Sequence, residues 1–218
     1  MGRRTVRKPA DYDQRKEKFL INVEEDIILD FVKIFGNNNP VHIEIGSGKG
    51  EFISQKCREN RDINYIGIEL NPHRITSIMK KLDLAEDTNV KLLNHYVDKN
   101  IIKVIPQYSI PVIYIQHPDP WPKRRHHKYR LINQPFIDAL SLMLTPEGKV
   151  EIATDHPGYS EWIIEHFQER VDFKALFENG FSFERQAGHI ETYFEEVKRA
   201  EGFEPRFMFY QKLNQLKR

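Results

Sequence analysis

Between Val41 and Ala153 short apolar runs alternate with longer stretches of helical periodicity, and this alternation limits the chain more than any other feature. The runs Val41–Ile45, Ile63–Ile68, 90–93, Val112–Gln116 and Lys149–Ala153 read as strands. The intervening segments 51–60, 72–86, 98–106 and 133–144 carry apolar residues at helical spacing. Strands that are separated by helices build an α/β fold: a doubly wound, mostly parallel sheet with helices on both faces and ligands at the carboxyl ends of the strands. A leading helix is predicted over 24–35, closed by the turn signal Gly36-Asn37-Asn38-Asn39-Pro40. Beyond Pro157 the pattern predicts a helix over 158–170, a weak strand at 171–177 and a clear one at Phe207–Tyr210. Residues 1–35 are expected to form a basic arm and leading helix, and 36–218 a single domain.

Charge places partners on this frame. The chain of 218 residues balances 33 Lys and Arg against 32 Asp and Glu, yet seven cations fall within residues 1–18 and five within 123–130. Such clusters either meet phosphates or form solvated faces. Apolar runs such as Val112–Ile115 are far shorter than the roughly 18 residues of a membrane span, so no membrane association is expected. The basic start Met1-Gly2-Arg3-Arg4 leads into Lys8-Pro9 without an apolar stretch, so a secretory signal is not expected. The lone Cys57 cannot form an internal disulfide. A cytoplasmic protein is the expectation.

The first strand runs into Glu44-Ile45-Gly46-Ser47-Gly48-Lys49-Gly50-Glu51, a glycine turn that opens a helix. Glycines there allow tight turning and a close approach of backbone N–H groups to a ligand. A Walker A loop is excluded, because Gly50 follows Lys49 where Ser or Thr is needed. The spacing is G-x-G-x-G, and Glu44 lies two residues ahead of it, where a carboxylate repels a pyrophosphate and favours a cationic group. Glu69 closes the second strand 23 residues after Gly46, where an acid accepts ribose hydroxyls. Together they indicate an adenosine-type ligand; the plainer alternative is a structural turn and an exposed acid.

After the fourth strand comes Gln116-His117-Pro118-Asp119-Pro120-Trp121-Pro122-Lys123-Arg124-Arg125-His126-His127-Lys128-Tyr129-Arg130. Three prolines fix the backbone around Asp119 and Trp121. An acid and an indole beside five cations suit a purine held by edge and face while phosphates are neutralised. His126 and His127 have no partner at metal-ligand spacing, so no metal is expected.

The run from Pro118 to Lys128 resembles the signature of the bacterial tRNA (guanine-N(7)-)-methyltransferase family. Glu44 to Gly50, an E-x-G-x-G-x-G loop similar to the first motif of class I methyltransferases, falls in matching order with Glu69, Thr154-Asp155 and Thr192-Tyr193-Phe194-Glu195. The resemblance covers residues 20–213. It implies a Rossmann-like class I methyltransferase fold, S-adenosylmethionine as cofactor, and methylation of N(7) of guanosine 46 in the tRNA variable loop. Carried over by residue, it implies cofactor contacts from Glu44, Gly46, Gly48, Gly50, Glu69 and Asp119, with Asp119 also catalytic. It implies substrate contacts from Lys123, Asp155, Thr192, Tyr193, Phe194 and Glu195. Where the family has an acid near the adenine this chain has Tyr96, with Asp98 two residues on; Tyr96 is either a hydrogen-bonding or stacking substitute or a packed aromatic.

Taken without the resemblance, Asp155 could cap the helix that starts near Pro157 and 192–195 could be a helix surface with buried aromatics. N(7) of guanine has an in-plane lone pair and no proton, so catalysis should be positional, with Asp119, helped by Glu195, stabilising the developing cation. A class I methyltransferase of small molecules and a noncatalytic RNA-binding protein are the competing classes. A monomer and a homodimer are both compatible with the sequence.

Overall fold

The computed structural model describes residues 7–23 and 27–214. Among the described residues seven strands form one sheet in the order β3-β2-β1-β4-β5-β7-β6. They are β1 (Val41–Ile45), β2 (Asn64–Ile68), β3 (Val90–Leu93), β4 (Ile110–Gln116), β5 (Leu144–Thr154), β6 (Phe173–Ala175) and β7 (Arg206–Lys212). The pairs β1–β2, β2–β3, β1–β4 and β4–β5 are parallel, and β7 runs antiparallel to β5 and β6. Chain order reverses between β1 and β4, so a crevice opens at the carboxyl ends of those two strands. β1 is buried along its whole length, His42 and Glu44 included, because both faces of the central sheet are covered. Ile43, Ile45, Ile113 and Ile115 enter one apolar cluster, and Tyr65 and Tyr114 enter the other. The two-residue period of a strand sends the two sets to opposite faces.

The connecting helices are α3 (Glu51–Glu59), α4 (Pro72–Lys81), α5 (Gln134–Met143) and α6 (Pro157–Gln168), with α1 (Tyr12–Phe19) and α2 (Phe31–Phe35) ahead of the sheet and α7 (Tyr193–Ala200) near its end. α4, α5 and α6 each begin with proline in the first turn behind a side-chain cap, from Asn71, Asn133 and His156. None of the helices among the described residues is long and apolar enough to cross a membrane.

Three predicted helices are shorter than the periodicity suggests. The leading one is expected from 24; residues 24–26 lie outside the described residues, and 27–30 are not helical. Leu29 instead donates its N–H to Val104 O at 2.8 Å, and Asp30 caps α2 by accepting from Lys33 N. α4 stops at Lys81 rather than 86 because Asp83 accepts from the N–H groups of Ala85 and Glu86, a local bond that competes with helix. The segment near 98–106 forms only a 3-10 turn, Lys99–Lys103, opened by Asp98.

The arm read as basic does much of its described work inside the fold. Phe19 is fully buried, and Ile21 N bonds Leu92 O at 2.8 Å. Arg15 donates to Met79 O and Leu82 O at the end of α4, and Lys18 to Leu84 O. Cations at a helix carboxyl end complement its dipole, so these charges are engaged by the protein itself.

Candidate active site

Gly46, Gly48 and Gly50 all have left-handed backbone, with φ of 79°, 53° and 76°. At Gly50 a Cβ would also fall 2.6 Å from Ile78 Cγ2, so the loop fits only with glycine there. Glu69 fastens this loop from the end of β2: Oε2 accepts from Gly48 N at 2.9 Å and Oε1 from Asn71 N at 2.8 Å. Each oxygen keeps lone-pair capacity for a hydroxyl donor. Arg74 lies 3.6 Å from Oε2.

Glu44 is buried on β1, and among the described residues its Oε2 has no hydrogen-bond partner. Burial pushes its carboxyl up to about 8; the Ser47 hydrogen bond opposes this, and the nearby charges of Glu69 and Glu51 add to it. A buried carboxyl oxygen left without a partner beside a glycine loop has capacity for a donor that a ligand brings. The donor set therefore fits a ligand that carries a cation and a ribose.

Across the switch point, His117 and Trp121 have left-handed φ of 50° and 43°, a costly backbone for residues with side chains. The proline-rich segment between them holds Asp119 exposed. Arg130, expected among the outward cations, turns inward. It is 4% exposed, its Nε donates to Pro120 O at 2.9 Å, and its guanidinium lies over the rings of Tyr159 and Trp162 at 5.1 and 4.9 Å. It thereby pins the strained loop from below, while Lys123, Arg124, Arg125 and Lys128 stay exposed. Trp121 packs near Tyr129, with centroids 5.4 Å apart.

A cleft of about 1080 Å³ joins the two halves, lined by Gly46 and Glu69 at one side, Tyr96 and Asp98 between, and Asp119, Trp121 and Tyr129 at the other. Asp98 commits its carboxylate to Asn100, accepting from N at 2.8 Å and from Nδ2 at 3.0 Å. Tyr96 is 62% exposed, so the packed-aromatic alternative falls and the phenol is free to meet a ligand.

The remaining sequence-derived residues collect at a second point. Asp155 lies 3.6 Å from His117 Nδ1, and that imidazole holds its carboxyl below the usual range against burial. The cap of α6 is His156, which accepts from Tyr159 N, so Asp155 is not the cap. Thr192 caps α7 through Glu195 N at 3.2 Å. Tyr193 and Phe194 are exposed, and the Phe194 ring lies 4.9 Å from that of His117. Glu195 is fully buried and bound by His189 Nε2 at 2.7 Å and Arg199 Nε at 3.0 Å. Burial works to raise its carboxyl, but those two partners hold it below the ordinary range. Its place is under the site, holding α7. His127 packs on Trp162, and no group of three metal-ligating side chains occurs among the described residues.

Arg130 and His117 were invisible as site residues in the sequence. The first differs from its neighbours only by facing the core, and nothing in a basic run marks which cation does so. The second stands in a strand end whose apolar pattern gives no hint of a buried imidazole.

Residues 38–204 match a family described as "Putative methyltransferase". A tRNA (guanine-N(7)-)-methyltransferase of Listeria innocua is 36% identical over 205 residues, covering 92% of this chain and 94% of that protein. One of Bacillus licheniformis is 38% identical over 173 residues, 78% of this chain and 79% of its own. Among solved structures, the 16S rRNA methyltransferase KamB superposes with a TM-score of 0.57 at 12% identity over 98% of both chains. An antibiotic-related methyltransferase gives 0.54 at 17% identity over 88% of this chain and 94% of that one. These two likenesses carry the fold: the doubly wound sheet expected from the alternation of strands and helices is a class I methyltransferase fold, as the resemblance implies. The Listeria relative aligns over nearly its whole length, and the matched family spans the glycine loop, the proline-tryptophan loop and α7 alike: the chain belongs to the tRNA (guanine-N(7)-)-methyltransferase family.

Proposed function

We propose that the protein transfers a methyl group from S-adenosylmethionine to N(7) of a guanosine in tRNA, guanosine 46 of the variable loop. One observation carries the reading: an exposed acid and indole on a backbone strained at both ends face, across one cleft, Gly46 and Glu69, and the unpaired buried carboxyl of Glu44 lies two residues before that glycine. S-adenosylmethionine supplies, when bound, a methyl group on a sulfonium that N(7) takes with its own lone pair, the bonding pair staying on sulfur. Glu44 receives positive charge, Glu69 accepts from the ribose hydroxyls, and Tyr96 meets the adenine. Trp121 offers its face to the guanine. No proton leaves N(7), so Asp119 acts as a fixed anion beside a base that becomes cationic, and the site needs no general base.

The reading is tested by incubating the protein with tritiated S-adenosylmethionine and unmodified tRNA and mapping the labelled nucleotide. Label at N(7) of guanosine 46 supports it. Equal label in free guanosine would favour a small-molecule substrate, and absence of cofactor binding a noncatalytic RNA-binding protein.

Asp119→Asn keeps the size of the side chain and removes its charge. The single-turnover rate is expected to fall about 10- to 100-fold, the equivalent of one charge-assisted hydrogen bond of roughly 1.5–3 kcal/mol. A rate within about twofold of wild type would leave Asp119 a structural part of the loop.

Lys123 and Arg124 are exposed on the basic loop, so their work is read in salt. Alanine at either position is expected to weaken tRNA binding with cofactor affinity unchanged. Each loss should flatten log affinity against log salt by up to about one unit. Wild-type slopes in both variants would make the cluster a solvated face.

A further inference from the structure

The strap from Gly188 to Phe194 is fastened to the glycine-loop side of the molecule at three points, and all three fasteners belong to one short stretch of chain. Lys56 Nζ donates to Gly188 O at 2.5 Å. Glu51 Oε2 accepts the backbone N–H of Tyr193 at 3.1 Å. Lys49 Nζ stands 5.4 Å from the Tyr193 ring centroid. Lys49 lies inside the glycine loop, and Glu51 is the first residue of α3 after Gly50. The next residue of the strap faces the other half of the cleft, with Phe194 against His117, two residues before Asp119.

The Glu51 contact has a clear physical basis. Tyr193 begins α7, and the first N–H groups of a helix have no partner within it. Thr192 takes the N–H of Glu195, and the Glu51 carboxylate takes that of Tyr193. A negative charge at that end also complements the helix dipole. Lys81 holds the other Glu51 oxygen at 3.1 Å, which fixes the carboxylate in place.

We propose that Glu51 is a positioning residue that couples the two ligands: by tying the start of α7 to the glycine loop, it makes order in the loop set the place of Tyr193 and Phe194. Resting on the function proposed above, this makes cofactor and tRNA binding mutually reinforcing. Coupling between two sites is reciprocal, so each ligand must raise the affinity of the other by the same factor. Residue 51 acts through the Tyr193 amide and touches neither ligand.

The test measures tRNA affinity of the full chain with and without saturating S-adenosylhomocysteine, the unreactive product, and S-adenosylhomocysteine affinity with and without tRNA. In the wild type each ligand is expected to tighten the other about five- to tenfold. Glu51→Ala is expected to reduce that factor below about twofold. Glu51→Gln, which keeps an acceptor for the Tyr193 N–H, is expected to retain a factor above about threefold with an unchanged melting temperature. A purely structural role would lower both separate affinities and leave their ratio intact. The proposal is overturned if Glu51→Ala keeps the wild-type factor, if Glu51→Gln loses as much as Glu51→Ala, or if the wild type binds the two ligands independently. Failure of the wild type to bind either ligand at all would instead overturn the proposed function.

Discussion

Glu69→Ala is expected to weaken S-adenosylmethionine binding by at least about 100-fold while tRNA affinity measured without cofactor stays within about twofold. The carboxylate is given two tasks, ribose contact and fastening of the glycine loop. Each charge-assisted hydrogen bond to a ribose hydroxyl is worth roughly 1.5–3 kcal/mol, so two of them account for the factor. The second task makes the loss larger than ligand contact alone, since alanine also releases Gly48 N and Asn71 N. Glu69→Gln separates the two. An amide has one oxygen for two backbone donors, so the loop is only half held and the affinity should lie between those of wild type and alanine. Titration calorimetry reads all three proteins. Cofactor affinity unchanged in Glu69→Ala would remove the ribose contact and leave Glu69 a loop fastener.

Legibility of this chain followed the range of the interactions. β1, β3 and the bodies of α3 through α6 were written in periodicity, because apolar burial is a local property of a segment. The helix errors have local causes as well, but ones in which polar side chains override the pattern: Asp83 ends α4 and Asp30 starts α2 late. The glycine loop and Glu69 were legible because their geometry demands residue types, left-handed glycine and a strand-end acid. The proline-tryptophan loop was legible as rigid, but not as strained at His117 and Trp121, since positive φ in such residues is imposed by packing from elsewhere. Arg130 shows the limit most clearly. Composition counts it with the loop's cations, while the fold turns it under Pro120 onto two rings contributed by α6. Glu195 shows the converse, an acid that the resemblance places among the substrate contacts and whose burial against His189 and Arg199 no local pattern announces.

Measured against Glu44→Gln, the wild type is expected to lose stability and gain cofactor affinity as pH rises. In the folded, ligand-free protein the Glu44 carboxyl titrates at about 8, against 4.5 for the ordinary group. Between those values the native state holds a proton that the unfolded chain has released. The contribution of Glu44 to stability must therefore fall as pH rises from 4.5 to about 8 and level off above it. At pH 7 the fall amounts to about 3 kcal/mol, which for a chain of this size is on the order of 6–12 °C in melting temperature. A glutamine side chain cannot titrate, so the variant should lose this slope, and thermal melts from pH 5 to 8 compare the two directly. Ligand binding runs the other way. A cationic group placed against Glu44 favours the ionised carboxyl, so binding expels the proton and wild-type cofactor affinity should climb with pH toward 8, by up to about tenfold per unit. The variant offers no anion, so its affinity should be lower and free of that climb. The two slopes test one physical claim, that burial at the end of β1 holds a destabilising carboxyl in readiness for a cation. A wild-type melting temperature that does not decline between pH 5 and 8 relative to Glu44→Gln would mean that the fold already neutralises Glu44, leaving it no unmet charge with which to select a sulfonium ligand.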